Sequence, residues 1–206
     1  SRAHYRNGKT YLAWVGPDNH PYVSVYSHKN NEWSAHKRVG TNLISPKDYH
    51  GNPSILIDRE GFLHVFYGGH NKKMRYSRSS KPLSNDDWQD YTSRLPYTDS
   101  TYPQLFTMSD GTIYSFYRRK THRGNWSYIT SKDNGMTWSK EVHVLDGRSP
   151  PGNGWYAAFT KGPNRDHIHL MFLWHASKDN LPHSRRNLYY MQMDHSTGKW
   201  TSMENE

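Results

Sequence analysis

Short apolar runs broken by Gly, Asn and Asp turns recur along the chain; PSILI, FLHVFY and MRYSRS, between residues 53 and 79, are three in succession. Runs of this kind predict β-strands joined by tight turns, and convincing helical periodicity is absent. Four turn-plus-strand segments stack on one another: NGKTYLAWV from Asn7, EGFLHVFYGGH from Glu60, DGTIYSFYRRK from Asp110 and RDHIHLMFLWH from Arg165. Gly8, Gly61, Gly111 and Asp166 then share one place at spacings of 53, 50 and 55, and Trp33, Trp88, Trp138 and Trp200 close the same units at spacings of 55, 50 and 62. A period of this length predicts modules of about four strands, not helical hairpins.

The third unit contains SKDNGMTW, residues 131 to 138, which matches the Asp-box pattern S-x-D-x-G-x-T-W at every defined position. In such a box the Asp133 carboxylate accepts hydrogen bonds from turn amides, Gly135 supplies an unusual backbone conformation, and Trp138 packs beneath the hairpin. The box is structural and marks a blade. Degenerate versions, SHKNNEW from Ser27 and DHSTGKW from Asp194, stand at the corresponding places in units one and four. The expected architecture is an all-β β-propeller of four-stranded antiparallel blades in one domain over residues 1–206, with repeats at about 1–45, 46–95, 96–147 and 148–206. Because common propellers close with more blades than four, the chain is expected to be a fragment of a larger ring.

Strand register then assigns a rim. The segment HGNPSILIDREGFLHVFYGGH, residues 50 to 70, carries a histidine at each end of a hairpin. Antiparallel pairing of PSILI with FLHVFY puts the start of one strand beside the end of the next, so His50 and His70 share one edge of the sheet. By the same register Tyr102 and Tyr156 begin the first strands of units three and four, while Arg118 and His175 end the second strands. Each has a bland alternative: strand-end histidines are often turn residues, blade tyrosines pack, and Arg118, next to Arg119, could be a solvated charge. A shared face gives the six a common purpose, since propellers place ligand sites on such rims.

Composition narrows the ligand. Lys plus Arg number 27 against 18 Asp plus Glu, a net charge of +9, which favours an anionic partner or simply aids solubility. Aromatics make up 15% of the chain, with 16 Tyr and 8 Trp, which suits strands and carbohydrate-facing surfaces. There is no Cys, hence no disulfide or thiol chemistry, and no run of transmembrane length. The basic residues are scattered and carry no nucleic-acid motif, and neither nucleic acid nor membrane is an expected partner.

A glycosidase needs two carboxylates around the scissile bond, yet most acidic residues fall in inter-strand turns; Asp48 and Asp99, which precede the rim residues, are the exceptions. A sialidase would pair a Tyr nucleophile with an arginine cluster, and Arg118 alone is too little. His, Tyr and Arg without carboxylates suit β-elimination from a uronate: Arg pairs with the sugar carboxylate, one of His or Tyr removes the C5 proton, and another protonates the leaving oxygen. A non-catalytic propeller that binds acidic glycans through the same rim is the alternative from another class, with a sialidase-like hydrolase behind it. No cofactor is required. A structural metal ion is conceivable where His167, His169 and His175 alternate onto one face of a strand with His183 following. Arg75, Arg78, Arg185 and Arg186 could extend a sulfate-binding surface or merely coat solvated strands.

YRNGKTYLAWVGPDNHPYVSVYSH, HGNPSILIDREGFLHVFYGGHN, MRYSRSSKP, TYPQL, DGTIYSFYRR, the Asp-box and RDHIHLMF, in that order, resemble the BNR-repeat proteins that include the propeller-type ulvan lyases. The resemblance implies a secreted polysaccharide lyase with a seven-bladed propeller, cleaving next to glucuronate or iduronate in sulfated algal ulvan; a secreted or periplasmic/cell-surface location and a monomer are the accompanying expectations. It implies that His50 and His70 are active-site histidines, Tyr102 in TYP a catalytic acid or base, and Arg118 in FYRR the group that neutralises the uronate. Asn71, in GGHN, joins Arg118 as a substrate contact. Tyr156 and His175 follow by spacing and register. The base is not separated from the acid at this stage, and about three blades of the family's ring are missing.

Overall fold

The computed structural model describes residues 2–70, 72–96, 99–121, 123–147, 153–163, 166–176 and 185–203. They form four antiparallel sheets, arranged successively along the chain. The first holds β1 (Ala3–Arg6), β2 (Lys9–Val15), β3 (Pro21–Ser27), β4 (Glu32–Trp33) and β5 (Lys37–Arg38). The second holds β6 (Ser54–Ile57) and β7 (Leu63–Tyr67) and, after a two-residue strand β8 (Lys72–Lys73) that pairs with the third sheet, β9 (Arg75–Ser79) and β10 (Trp88–Asp90). The third runs through β11 (Asp99–Thr107), β12 (Ile113–Arg119), β13 (Trp126–Ser131) and β14 (Val142–Leu145); the fourth through β15 (Asn153–Lys161), β16 (His167–Ala176), β17 (Arg185–Asp194) and β18 (Trp200–Thr201). A single 3-10 turn, Thr92–Arg94, is the helical element among the described residues.

Neighbouring sheets stack face to face, and the period-two alternation of strands decides which residues fill each interface. Ile55, Ile57, Leu63, Val65 and Tyr67 of the second sheet meet Tyr11, Ala13, Val23 and Val25 of the first. From the opposite face of the same strands, Leu56 and Phe66 meet Leu105, Ile113, Tyr117 and Ile129 of the third. Phe116, Trp126, Phe159, Leu170 and Phe172 fill the next interface. The second and third sheets are therefore buried on both faces, which explains why β6 and β7 read as continuous apolar runs instead of alternating ones.

The turn of residues 131–138 is tied by its own side chains. Asp133 accepts from the Thr137 amide at 2.9 Å, the Thr137 hydroxyl at 2.5 Å and the Ser131 hydroxyl at 2.8 Å. Trp138 stands edge-on to Phe66 and Tyr76 of the preceding sheet, 5.5 and 6.0 Å between ring centroids. It thus links adjacent sheets as well as supporting its own hairpin.

Candidate active site

The β6–β7 ladder pairs Ser54 with Phe66 and continues through the Gly68 amide to the Gly51 carbonyl, which carries His50 and His70 to the same end of the second sheet. Gly69 is needed there: a Cβ on it would fall 2.6 Å from the Ser100 carbonyl oxygen, so only glycine lets this rim approach the third sheet. The two imidazoles stack, centroids 4.1 Å apart. Asp48 lies between them, with His50 Nδ1 at 2.7 Å from one carboxylate oxygen and His70 Nδ1 at 2.5 Å from the other. Its first oxygen also accepts the His50 amide at 3.1 Å, a local turn closed by an Asp two residues ahead of its donor. Burial alone would raise the Asp48 pKa, but the hydrogen bonds from His70, His50 and the His50 amide outweigh it and hold the carboxyl at about 2. Asp48 is thus ionised at neutral pH and can only accept, so both Nδ1 atoms carry a hydrogen, and in the neutral imidazole tautomer this selects, the lone pair is on Nε2.

Tyr102 continues the row. It occupies a β-bulge, two residues of β11 facing one of β12 between the Thr101–Arg118 and Gln104–Phe116 pairs, and its φ of +59° is a conformation a bulky side chain rarely adopts. Pro103, which has no amide hydrogen to lose, fits the interrupted ladder. Strain of this kind is concentrated at functional positions and re-aims a side chain, here toward His50, with ring centroids 6.2 Å apart. Tyr156 follows at 6.5 Å from Tyr102, and His175 at 5.4 Å from Tyr156. The guanidinium of Arg118 lies 5.0 Å from the Tyr102 ring centre and 5.4 Å from that of Tyr156, while Arg185 approaches Tyr156 from another side at 4.5 Å.

His50, His70, Tyr102, Arg118, Tyr156 and His175, drawn from three sheets, thus form one continuous row. Asn71 lies outside the described residues. Arg118 is 2% exposed, which rules out a solvated charge, and its Nε and Nη1 find no hydrogen-bond partner among the described residues. Buried donors left open in this way call for a ligand or a functional explanation. Burial raises the Tyr102 pKa further than the nearby Arg118 lowers it, so the phenol keeps its proton. Burial, then the charges of Arg185 and Arg118, lower the pKa of His175 and favour neutral imidazole.

Three expectations need correction. The site is not free of carboxylates, because Asp48 is its hub; the D-Y-H spacing was the visible signal, but the contact with His70 is tertiary. His167, His169 and His175 do not form a metal site among the described residues. They share a strand face, but His169 and His175 are six residues apart on an extended strand, about 20 Å; His169 bonds the Tyr190 hydroxyl and His167 lies 3.8 Å from Asp194. His183 lies outside the described residues. The set whose ligand atoms do converge, within 4.8 Å of one another, is Asp48, His50 and His70, two imidazoles and a carboxylate that could hold a divalent transition metal. Finally, of the four arginines considered for an anion surface, Arg75 is paired with Asp90 and Arg78 lies over Phe62 near Asp58; Arg185 alone of them joins the row.

Four successive antiparallel sheets, with a row of histidine, tyrosine and arginine side chains along one rim, define the fold as that of a β-propeller. Residues 9–206 match the BNR repeat-containing family, and the chain belongs to it. It is 32% identical over 236 residues to an ulvan lyase of Nonlabens ulvanivorans, an alignment covering 98% of this chain and 49% of the relative. It is likewise 32% identical over 235 residues to an ulvan lyase of Alteromonas sp. (strain LOR), covering 98% and 48%. Among solved structures, a PL25 ulvan lyase bound to -[GlcA(1-4)Rha3S]- superposes with a TM-score of 0.86 at 29% identity, covering 100% of this chain and 53% of that one. The chain spans about half the length of the curated relatives it matches.

Proposed function

We propose that the protein is a polysaccharide lyase that cleaves a sulfated, uronate-containing polymer of the ulvan type by β-elimination. The observation that carries this reading is the juxtaposition of a buried arginine with open donors, a protonated tyrosine and two histidines whose Nε2 lone pairs are set by one carboxylate. The ulvan lyase relatives supply the substrate class.

In this reading Arg118 offers Nε and Nη1 to the uronate carboxylate, and neutralising that charge makes the neighbouring C5 proton more acidic. Because the Tyr102 and Tyr156 rings cover the guanidinium, one of them swings to another rotamer as the sugar enters. His50, the more exposed of the pair at 51% against 22% and the one next to Tyr102, takes the C5 proton on Nε2. Tyr102, held as the phenol, gives its proton to the leaving oxygen; the C5–H bond's electrons form the C4–C5 double bond as the C4–O bond breaks. His70 and Asp48 hold His50 in its tautomer. A cavity of about 400 Å³ beside Asp48, lined by Asn19, Asn42, Ile44 and Tyr49 among others, gives room for further sugars. A polymeric substrate cannot cross a membrane intact, so such an enzyme works outside the cytoplasm.

Incubation with ulvan is the test. Elimination leaves a conjugated unsaturated uronate with ultraviolet absorbance, and Tyr102→Phe, which keeps the ring and removes the proton, should lower its rate about 100-fold or more. New reducing ends without that absorbance would make the protein a hydrolase; binding with neither product would make it a glycan-binding propeller.

A further inference from the structure

A second cationic pocket lies on the third blade. Arg118 and Arg119 are consecutive on β12, so they leave the same strand end from opposite faces: Arg118 joins the tyrosine row, and Arg119 points into a cavity of about 280 Å³. Lys120, Arg123, Asn125, Glu141 and His143 line the rest of the wall that matters here.

The wall is built, not incidental. Glu141 accepts hydrogen bonds from Tyr117 and Ser127, each at 3.0 Å, is ion-paired with Arg119, and takes His143 Nε2 at 3.1 Å. Three hydrogen-bond donors engage its two oxygens with the His143 imidazole beside them, so the carboxylate serves to orient Arg119. On the other side of the imidazole, the Asn125 side-chain amide donates to His143 Nδ1 at 2.6 Å, and the Asn125 oxygen accepts the Gly147 amide at 3.1 Å. These partners fix both the Asn125 orientation and the His143 tautomer. The backbone is packed to match: a Cβ on Gly124 would lie 1.5 Å from the Arg119 carbonyl oxygen, and one on Gly147 2.4 Å from those of Arg123 and Gly124.

Inside this frame the cationic side is under-used. Arg119 Nε is buried with no hydrogen-bond partner among the described residues, and Lys120 and Arg123, both exposed, form no ion pair among them. Arg119, Lys120 and Arg123 thus line one cavity with a single carboxylate, Glu141, which is already engaged by Arg119, Tyr117 and Ser127. We propose that this pocket binds a sulfate ester of the polymer cleaved at the neighbouring row, which makes it a specificity site separate from the uronate-binding Arg118. A sulfate ester is a permanent tetrahedral anion with three free oxygens, suited to donors arriving from several directions, whereas a planar carboxylate suits the single fork of Arg118. The structural relative's ligand, -[GlcA(1-4)Rha3S]-, carries such an ester on the sugar next to the uronate. The proposal rests on the lyase reading for its substrate and on the pocket for its chemistry.

The double variant Lys120→Ala/Arg123→Ala tests it, because both side chains are exposed and the supporting network is left intact. Affinity electrophoresis in gels containing ulvan or chemically desulfated ulvan reads binding without requiring turnover. Removing two exposed cations should weaken binding of the sulfated polymer about five- to thirty-fold and leave the desulfated polymer unaffected. The difference should fade as salt rises. In the elimination assay KM should rise by the same factor with kcat within about twofold. Equal losses on both polymers, or none on either, would overturn the sulfate assignment. Inorganic sulfate binding as tightly as the polymer would overturn the ester in favour of a free-ion site. Sulfate-dependent binding without any unsaturated product would sink the lyase reading and leave the pocket standing.

Discussion

The second sheet holds two Asp–His clusters with opposite fates. Near one end of β6 and β7, His64 is fully buried; its Nε2 lies 2.9 Å from Asp58 and its Nδ1 2.7 Å from the Tyr76 hydroxyl. At the other end, Asp48 holds Nδ1 of both His50 and His70, and these imidazoles reach solvent. The residue types are the same, but in the interior both nitrogens are used by protein, whereas at the rim one nitrogen of each ring is left for a substrate. Burial and the second partner, not the Asp–His contact, separate a structural cluster from a chemical one.

The largest expected difference is in stability. Asp58→Ala would leave His64 and the nearby Arg78 without their buried carboxylate, a change that typically costs about 3–5 kcal/mol. Asp48→Ala, at a part-exposed rim where solvent screens the contacts with His50 and His70, should cost less, about 1–2 kcal/mol. Urea denaturation of both variants measures this; equal losses would erase the distinction between the clusters.

A smaller effect concerns tautomers. In Asp48→Asn the amide oxygen can accept from one imidazole, while its NH2 must face a ring nitrogen that accepts. One histidine would then carry its hydrogen on Nε2 and lose the outward lone pair. We expect kcat to fall about 10- to 100-fold with little change in KM. Nitrogen NMR of the imidazoles should show one ring changed; two unchanged rings would mean that Asp48 does not set the tautomers.

The smallest effect is the slope of stability with pH. Burial lowers the His64 pKa from 6.5 more strongly than Asp58 raises it, so the unfolded chain takes up a proton before the folded one does. Stability is therefore full above pH 6.5 and falls as pH drops through 6.5 toward the lowered folded value, by at most about 1.4 kcal/mol per pH unit from this residue. Asp58, whose pKa is lowered despite the opposing effect of burial because His64 and the Phe62 amide donate to it, adds a loss in the same direction below 3.8. His64→Gln should flatten the upper limb of this curve, and an unchanged slope there would place the titrating group elsewhere.

The sheets were legible because a turn-and-strand repeat is written in local residues: glycines at matching places, tryptophans that close each unit, and an Asp-box whose hydrogen bonds span only a few positions. The rim was legible for a related reason. Pairing two strands across a short turn forces their ends together, so His50 and His70, or Tyr102 and Arg118, are neighbours by register. His64, by contrast, looked like one more residue in FLHVFY, since nothing local tells an imidazole that faces the third sheet from one that faces solvent.

By itself, the sequence determined the strands, the four-unit repeat and the edge on which the histidines, tyrosines and arginine meet, because each depends on periodicity and on turns a few residues long. Only the tertiary structure decided that Asp48 bridges both rim histidines, that Arg118 is buried beneath two tyrosines, that Arg185 joins the row while Arg75 and Arg78 do not, and that Arg119 turns into a separate pocket. Those outcomes depend on how side chains from different sheets approach one another, and on which charges lose water as they do.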